Sequence, residues 1–257
     1  MKARDTIFLV PSLLTTCNLF AGLYAIIAVM NANYLFASIA LLVAMVFDVL
    51  DGKFARLTKT TSRFGLEYDS VVDVVSFGVA PGILIYAWAL SSTGGMFGSA
   101  VVFAFVACGA LRLARFNSQS QGAGGTSKFF TGLPVPAAAS VIATLVIFDH
   151  HILRLGREVK PVLILTITLL LGFLMVSVIK YRSFKDFKFR NLTKGKQFNY
   201  LVMAVLLLML VAAAPELTLF LLSAGYALSG PLERVFSLAL KKPFVSSTLD
   251  ESRETKD

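Results

Sequence analysis

The sequence predicts an all-α integral membrane protein, a polytopic bundle of about eight transmembrane helices. Three observations lead there. Apolar residues make up 56% of the 257 residues, and mean hydropathy is +0.76; soluble domains sit near about 45–50% apolar. The apolar residues gather into successive runs long enough to cross the hydrocarbon core of a bilayer. The net charge of +9 is concentrated in short loops between those runs, which fits an anionic lipid surface and not a nucleic-acid partner.

The runs follow in order. A short basic start, residues 1–8, precedes Leu9–Met30, which holds Pro11 and Asn18 and is long enough to be a retained first helix and not a cleaved signal. Tyr34–Phe54 is the second run and Leu66–Leu90 the third, with Tyr86 and Trp88 placed as an aromatic belt. SSTGGMFG reads as a glycine-rich turn before the fourth run, Ala100–Phe116. A polar loop then leads into the fifth run, Phe129–Phe148, in which Pro134 and Pro136 break or kink the start and suit a cavity wall. Val162–Ile179 is the sixth. Phe198–Ala214 and the segment from Leu217 to about Gly230 form a C-terminal hairpin around Pro215-Glu216. This divides the chain into a transmembrane core at 9–190, a membrane hairpin at 191–240 and a polar tail at 241–257.

Loop charge gives an orientation. Lys53, Arg56, Lys59 and Arg63 follow the second run; Arg112, Arg115 and Lys128 flank the loop after the fourth. Seven basic residues between Lys180 and Lys196 follow the sixth, a solvated patch for the lipid surface. Arg154, Arg157 and Lys160 after the fifth run are the exception. On balance both termini face the cytoplasm. His150 and His151 are adjacent, so they cannot share a helix face, and they read as an exposed outer loop. Cys17 and Cys108 lie in apolar runs without metal-ligand spacing and read as small packing residues.

The chemistry is expected between the second and third runs. Two pairs of carboxylates, Asp48/Asp51 and Asp69/Asp73, sit at facing ends of those runs. A spacing of three or four puts each pair on one helix face, and carboxylates at membrane depth need a cation, a proton or a water-filled cavity. Two such faces meeting make an oxygen-rich cup suited to Mg²⁺ or Mn²⁺. Gly52 and Ala55 strip bulk from the wall beside it, and Arg56 follows as a fork for phosphate oxygens. Arg112 and Arg115 share a face near the end of the fourth run, and Lys128 begins the fifth; they could hold a ligand's carboxylate or phosphates, or snorkel to headgroups.

The order Asp48-x2-Asp51-Gly52-x2-Ala55-Arg56-x8-Gly65-x3-Asp69-x3-Asp73 resembles, without a gap, the signature of the CDP-alcohol phosphotransferases. PSLLTTCNLFAG, SFGVAPG, LRLARFN, KFFTGLPVPAAA and LMVSVIKYRSFKDF resemble the phosphatidylserine synthase branch of that family, so the likeness runs to about Phe187. The resemblance implies a six-helix core plus two C-terminal helices, and a homodimer. It implies transfer of a phosphatidyl group from CDP-diacylglycerol to the hydroxyl of L-serine, releasing CMP, with two Mg²⁺ or Mn²⁺ ions held by Asp48, Asp51, Asp69 and Asp73. Gly52, Ala55, Arg56, Gly65, Ser62 and Thr15 then cradle the CDP donor, and Asp73 takes the hydroxyl proton. Membrane lipids are partners and nucleic acid is not. Acceptors such as glycerol phosphate or inositol phosphate, an archaeal ether-lipid donor, and a divalent-cation transporter are the alternatives; the sequence holds no second copy of the motif, as an internally repeated transporter would.

Overall fold

The computed structural model describes residues 3–58, 62–93, 95–122, 129–156, 159–182 and 194–239. Helix α1 (Ala3–Met30) and α2 (Tyr34–Leu57) form an antiparallel hairpin. Its turn is tight: Ala32 takes a positive φ of 57°, and the Asn33 N–H donates back to Ala28 O. The two helices meet along small residues, Ala21, Ala25 and Ala28 against Ala37, Ala40 and Ala44, all buried. Small side chains let helix backbones approach closely where lipid supplies no hydrophobic drive.

The third span is one continuous rod with two changes of pitch. Helix α3 (Arg63–Asp73) passes into a π-helical stretch, Val74–Val79, then α4 (Ala80–Ile85), then a second π stretch, Tyr86–Leu90. Pro81 supplies the cause of the first: it has no N–H to give and its ring crowds the carbonyl one turn back, so the ladder upstream shifts to a wider register. Helix α5 (Gly95–Gly122) returns, closely packed where Gly98 meets the Leu90 carbonyl. Of the expected turn SSTGGMFG, Ser91–Thr93 are turn residues while Gly95–Gly98 already belong to α5.

The fifth run begins differently from the expectation. Phe129–Thr131 is a short strand, β1, and helix α6 starts only at Val135 and ends at Phe148. Gly132 explains the break: its φ is +79°, and a Cβ there would collide with the Met175 carbonyl. Pro134 then stands before the first helical residue. Helix α6 is the central rod, with Val135 and every residue from Ala138 to Ile147 buried. A π turn, Asp149–Leu153, ends it, and His150 and His151 are exposed there.

Helix α7 (Val159–Val176) packs on α5 and stops three residues before the predicted Ile179. Strand β2 (Lys180–Arg182) pairs antiparallel with β1, Phe130 opposite Tyr181. Helices α8 (Lys194–Ala213) and α9 (Pro215–Ala239) form the C-terminal pair. Helix α9 lies against α6 and clasps the ribbon: Tyr181, fully buried, donates from its hydroxyl to Ala227 O at 3.0 Å. Burial, then the neighbouring Tyr226, pushes the Tyr181 phenol up to about 12, so it stays a donor.

Six helical segments among the described residues are long and apolar enough to cross a membrane: Pro11–Met30, Tyr34–Leu57, Phe64–Leu90, Gly95–Ser118, Val135–Leu153 and Val159–Val176. With α8 and α9 they make the expected polytopic helical bundle. Lys128, Lys59, Arg157, the greater part of the basic segment between Lys180 and Lys196, and the tail at 241–257 lie outside the described residues.

Candidate active site

The two aspartate pairs meet because the segment between α2 and α3 is short, so the end of one helix turns back beside the start of the next. Ser62 caps α3, its Oγ accepting from the Gly65 N–H at 2.9 Å. That fixes where the helix begins, and hence the phase of Asp69 and Asp73. Gly65 belongs to the same cap, since a Cβ there would sit 3.1 Å from Ser62 Oγ.

One carboxylate oxygen each from Asp48, Asp51 and Asp69 lie within 4.8 Å of one another. Asp73, one turn beyond Asp69, is within electrostatic reach of all three. Asp51 is 4% exposed and Asp73 7%. The hydroxyl of Thr15 on α1 donates to Asp51 Oδ2 at 2.8 Å, and has Pro11 O as a second acceptor at 3.0 Å. Asp69 Oδ1 and Asp73 Oδ1 are buried without a hydrogen-bond partner among the described residues. An all-oxygen donor set, drawn from two helices, with buried lone pairs left open, fits a hard divalent cation. Unpaired charges at this depth would otherwise repel one another in a medium that screens them poorly.

The remaining predicted residues separate by surroundings. A Cβ on Gly52 would meet nothing within 4 Å, so the wall beside the carboxylates is open. Ala55 is half-buried next to it, and Arg56 is exposed in the last turn of α2, where a cation also complements the helix dipole. Arg112 is 8% exposed, within electrostatic reach of Asp73, with its Nε unpartnered among the described residues. Its guanidinium stands 6.0 Å from the centre of the Phe116 ring. Arg115 instead donates from Nη1 to Val176 O at 3.1 Å, closing the end of α7.

Three residues near the carboxylates carry no role in the sequence argument. Asn18 is fully buried on α1, three residues after Thr15, and neither side-chain atom has a partner among the described residues. Ser76, in the π stretch after Asp73, donates to Asn18 O at 3.3 Å. Tyr226 of α9 comes within electrostatic reach of Arg112, so α9 borders the site. Thr15, Asn18 and Gly22 follow the i, i+3, i+7 spacing of one helix face, which is the signal that could have found Asn18.

A family model described as CDP-alcohol phosphatidyltransferase matches residues 8–174. A CDP-diacylglycerol–serine O-phosphatidyltransferase of Helicobacter pylori is 35% identical over 234 residues, covering 90% of this chain and 93% of that protein. One of the same name from Methanocaldococcus jannaschii is 35% identical over 89% of this chain and 96% of its own. An archaetidylserine synthase of Methanothermobacter thermautotrophicus is 35% identical over 70% of this chain and 72% of its own length.

Proposed function

The chain belongs to the CDP-alcohol phosphatidyltransferase family, and from that premise we propose that it transfers a phosphatidyl group from CDP-diacylglycerol to the hydroxyl of L-serine, giving phosphatidylserine and CMP. The convergence of carboxylate oxygens from α2 and α3, beside open space at Gly52, carries the proposal. Serine as acceptor is supported by the names of relatives that align along nearly all of this chain.

Asp48, Asp51 and Asp69, whose oxygens cluster, and Asp73 within their electrostatic reach would hold divalent cation, as two Mg²⁺ or Mn²⁺ ions. An ion held by these carboxylates would supply positive charge against the diphosphate and the departing CMP. Gly52 and Ala55 leave room for the nucleotide, and Arg56 reaches the phosphates from the rim; Ser62, Gly65 and Thr15 hold the wall in shape. The serine hydroxyl is a poor nucleophile until its proton is taken. Asp73, buried beside the other carboxylates with Oδ1 open, is the acceptor for that proton. The hydroxyl oxygen then bonds to the phosphorus bearing diacylglycerol, the bond from that phosphorus to the CMP oxygen breaks, and CMP leaves with the electron pair. Arg112, buried within electrostatic reach of Asp73, would hold the serine carboxylate. Arg115 would serve donor phosphates in this scheme, as would Lys128, which lies outside the described residues.

The site opens to the cytoplasm, where both termini lie. Loop charge supports this, and its chief exception is weakened: Lys160 is used internally, bonded to Asp149 at 3.0 Å. The working unit is a homodimer, as the family resemblance implies, which light scattering of the detergent-solubilised protein would test. The decisive assay supplies labelled CDP-diacylglycerol with a panel of alcohols to the purified protein. CMP and phosphatidylserine should form with serine and divalent cation. Preference for glycerol phosphate or inositol phosphate would reassign the acceptor, and ion flux without CMP would make it a transporter.

A further inference from the structure

We propose that Asn18 is an acceptor-binding residue, its amide gripping the amino group and the hydroxyl oxygen of an amino alcohol seated over Asp73. The proposal rests on the serine transfer proposed above and names a residue that selects the acceptor.

Asn18 is 0% exposed, and both Nδ2 and Oδ1 lack a partner among the described residues. A buried amide with neither half bonded is costly, and such groups in native folds are explained by a ligand or water. Its height in the bundle follows from three ties between α1 and the third span. Thr16 Oγ1 pairs with the Tyr68 hydroxyl at 3.1 Å. Ser76 Oγ donates to Asn18 O, and Gly22 lies so close that a Cβ would collide with Ser76. This register places Asn18 level with Val72 and Asp73, one turn above the Thr15–Asp51 bond.

Asn18 is not alone there. Asp73 Oδ1 and Arg112 Nε are buried and unpartnered as well, and the two residues lie within electrostatic reach. Three helices, α1, α3 and α5, thus deliver an amide, a carboxylate and a guanidinium to one level of the bundle. A metal ion would satisfy the carboxylate but not the N–H donors of Asn18 and Arg112, which need oxygen. A zwitterionic amino alcohol offers the matching set. Its carboxylate suits Arg112, its ammonium donates to Asn18 Oδ1, its hydroxyl oxygen accepts from Asn18 Nδ2, and its hydroxyl proton faces Asp73. The amide spans two neighbouring atoms much as an amino group and a hydroxyl do on adjacent carbons.

The test uses the full-length protein in detergent with CDP-diacylglycerol and Mn²⁺. Asn18→Ala should raise the KM for serine by about tenfold to a hundredfold, as for a lost hydrogen bond to a charged group, and leave the KM for CDP-diacylglycerol within about twofold. The preference of wild type for serine over 3-hydroxypropionate, which lacks the amino group, should shrink in the variant by a similar factor. Asn18→Asp keeps the volume and an oxygen for the ammonium. It should retain much of the serine affinity and lose kcat, and it serves where the alanine variant does not fold. A raised donor KM with unchanged serine KM in either variant would move Asn18 to the donor subsite and overturn the proposal. So would a lowered Tm with both KM values unchanged. If wild type releases no CMP with serine, the broader function fails instead, so the two failures are distinguishable.

Discussion

Two buried aspartates at opposite ends of the bundle show what separates a structural carboxylate from a working one. Asp149 is 5% exposed and Asp73 7%. Asp149, past the end of α6, is fully engaged. Its Oδ1 accepts from the Leu155 N–H at 2.7 Å and its Oδ2 from Lys160 Nζ at 3.0 Å. Lys160 in turn stands 4.0 Å over the centre of the Trp88 ring. Asp73, about 22 Å away along the third span from Trp88 at 1.5 Å per residue, has the opposite surroundings. Its Oδ1 is unpartnered among the described residues, and Asp48, Asp51 and Asp69 crowd it with charge of the same sign. Burial alone does not distinguish the two residues. What differs is whether the protein supplies the compensating donors or leaves them to a ligand.

The largest contrast should come from removing each carboxylate. Asp73→Asn is expected to abolish CMP release while leaving Tm unchanged or higher, because it removes one charge from a repelling group. Asp149→Asn should do the reverse. Removing one partner of a buried pair strands Lys160 and should cost on the order of 3–5 kcal/mol of stability, with kcat per folded molecule intact. Thermal melts and CMP release, measured on both variants, check this. Ordinary turnover by folded Asp73→Asn would remove Asp73 from catalysis.

Divalent cation sharpens the same contrast. Thorough chelation should stop CMP release, and Mn²⁺ or Mg²⁺ should restore it. The ion should also raise Tm, by about 2.7 kcal/mol of apparent stability at a hundredfold excess over Kd. That rise should vanish in Asp48→Ala and persist in Asp149→Asn. Full activity after chelation would refute a metal site in the cup.

The convergence of Asp48, Asp51 and Asp69 was legible in the sequence because its information is local, while Asp73, expected in the same cup, stands one turn beyond their cluster. Fixed spacings set the helix faces, and a short connection brings them together. The spans were legible for the same reason. What escaped depends on contacts between distant segments. The β1–β2 ribbon has only three residues per strand, too few for a period to register, and forms through pairing of Phe130 with Tyr181. Trp88 fits an aromatic belt by sequence, yet its ring lies under Lys160, whose charge counted as an exception to the loop bias. Asn18 is a single amide in an apolar run, and only the folded structure shows that it is buried with neither side-chain atom partnered among the described residues. Tyr226 lies beyond the matched residues 8–174, so no motif pointed to it.

Gly132 tests whether the ribbon, remote from the carboxylates in sequence, holds the wall that carries Arg112 and Arg115. Its N–H donates to Ile179 O at 2.8 Å, and a Cβ would collide with the Met175 carbonyl. Gly132→Ala combines that clash with a positive φ, for about 1–3 kcal/mol of lost stability. Met175 precedes Val176, whose carbonyl accepts from Arg115, so displacement there should raise the KM for substrate as well as lower Tm.

The smallest effect on the cation-loaded protein is expected at Thr15, where the two kinds of aspartate overlap. Asp51 is a cup carboxylate, yet like Asp149 it has a protein donor, the Thr15 hydroxyl at 2.8 Å. Thr15→Val keeps the shape and removes that donor, a loss of about 1.5–3 kcal/mol for a hydrogen bond to a charged group if nothing replaces it. Bound cation compensates Asp51 directly, so the loss should be smaller with Mn²⁺ present than after chelation. The variant should therefore melt below wild type in chelator, approach it in Mn²⁺, and turn over more slowly by only a few-fold. An equal deficit in both conditions would mean that Asp51 does not share its charge with an ion, and would place it with Asp149 among the structural carboxylates.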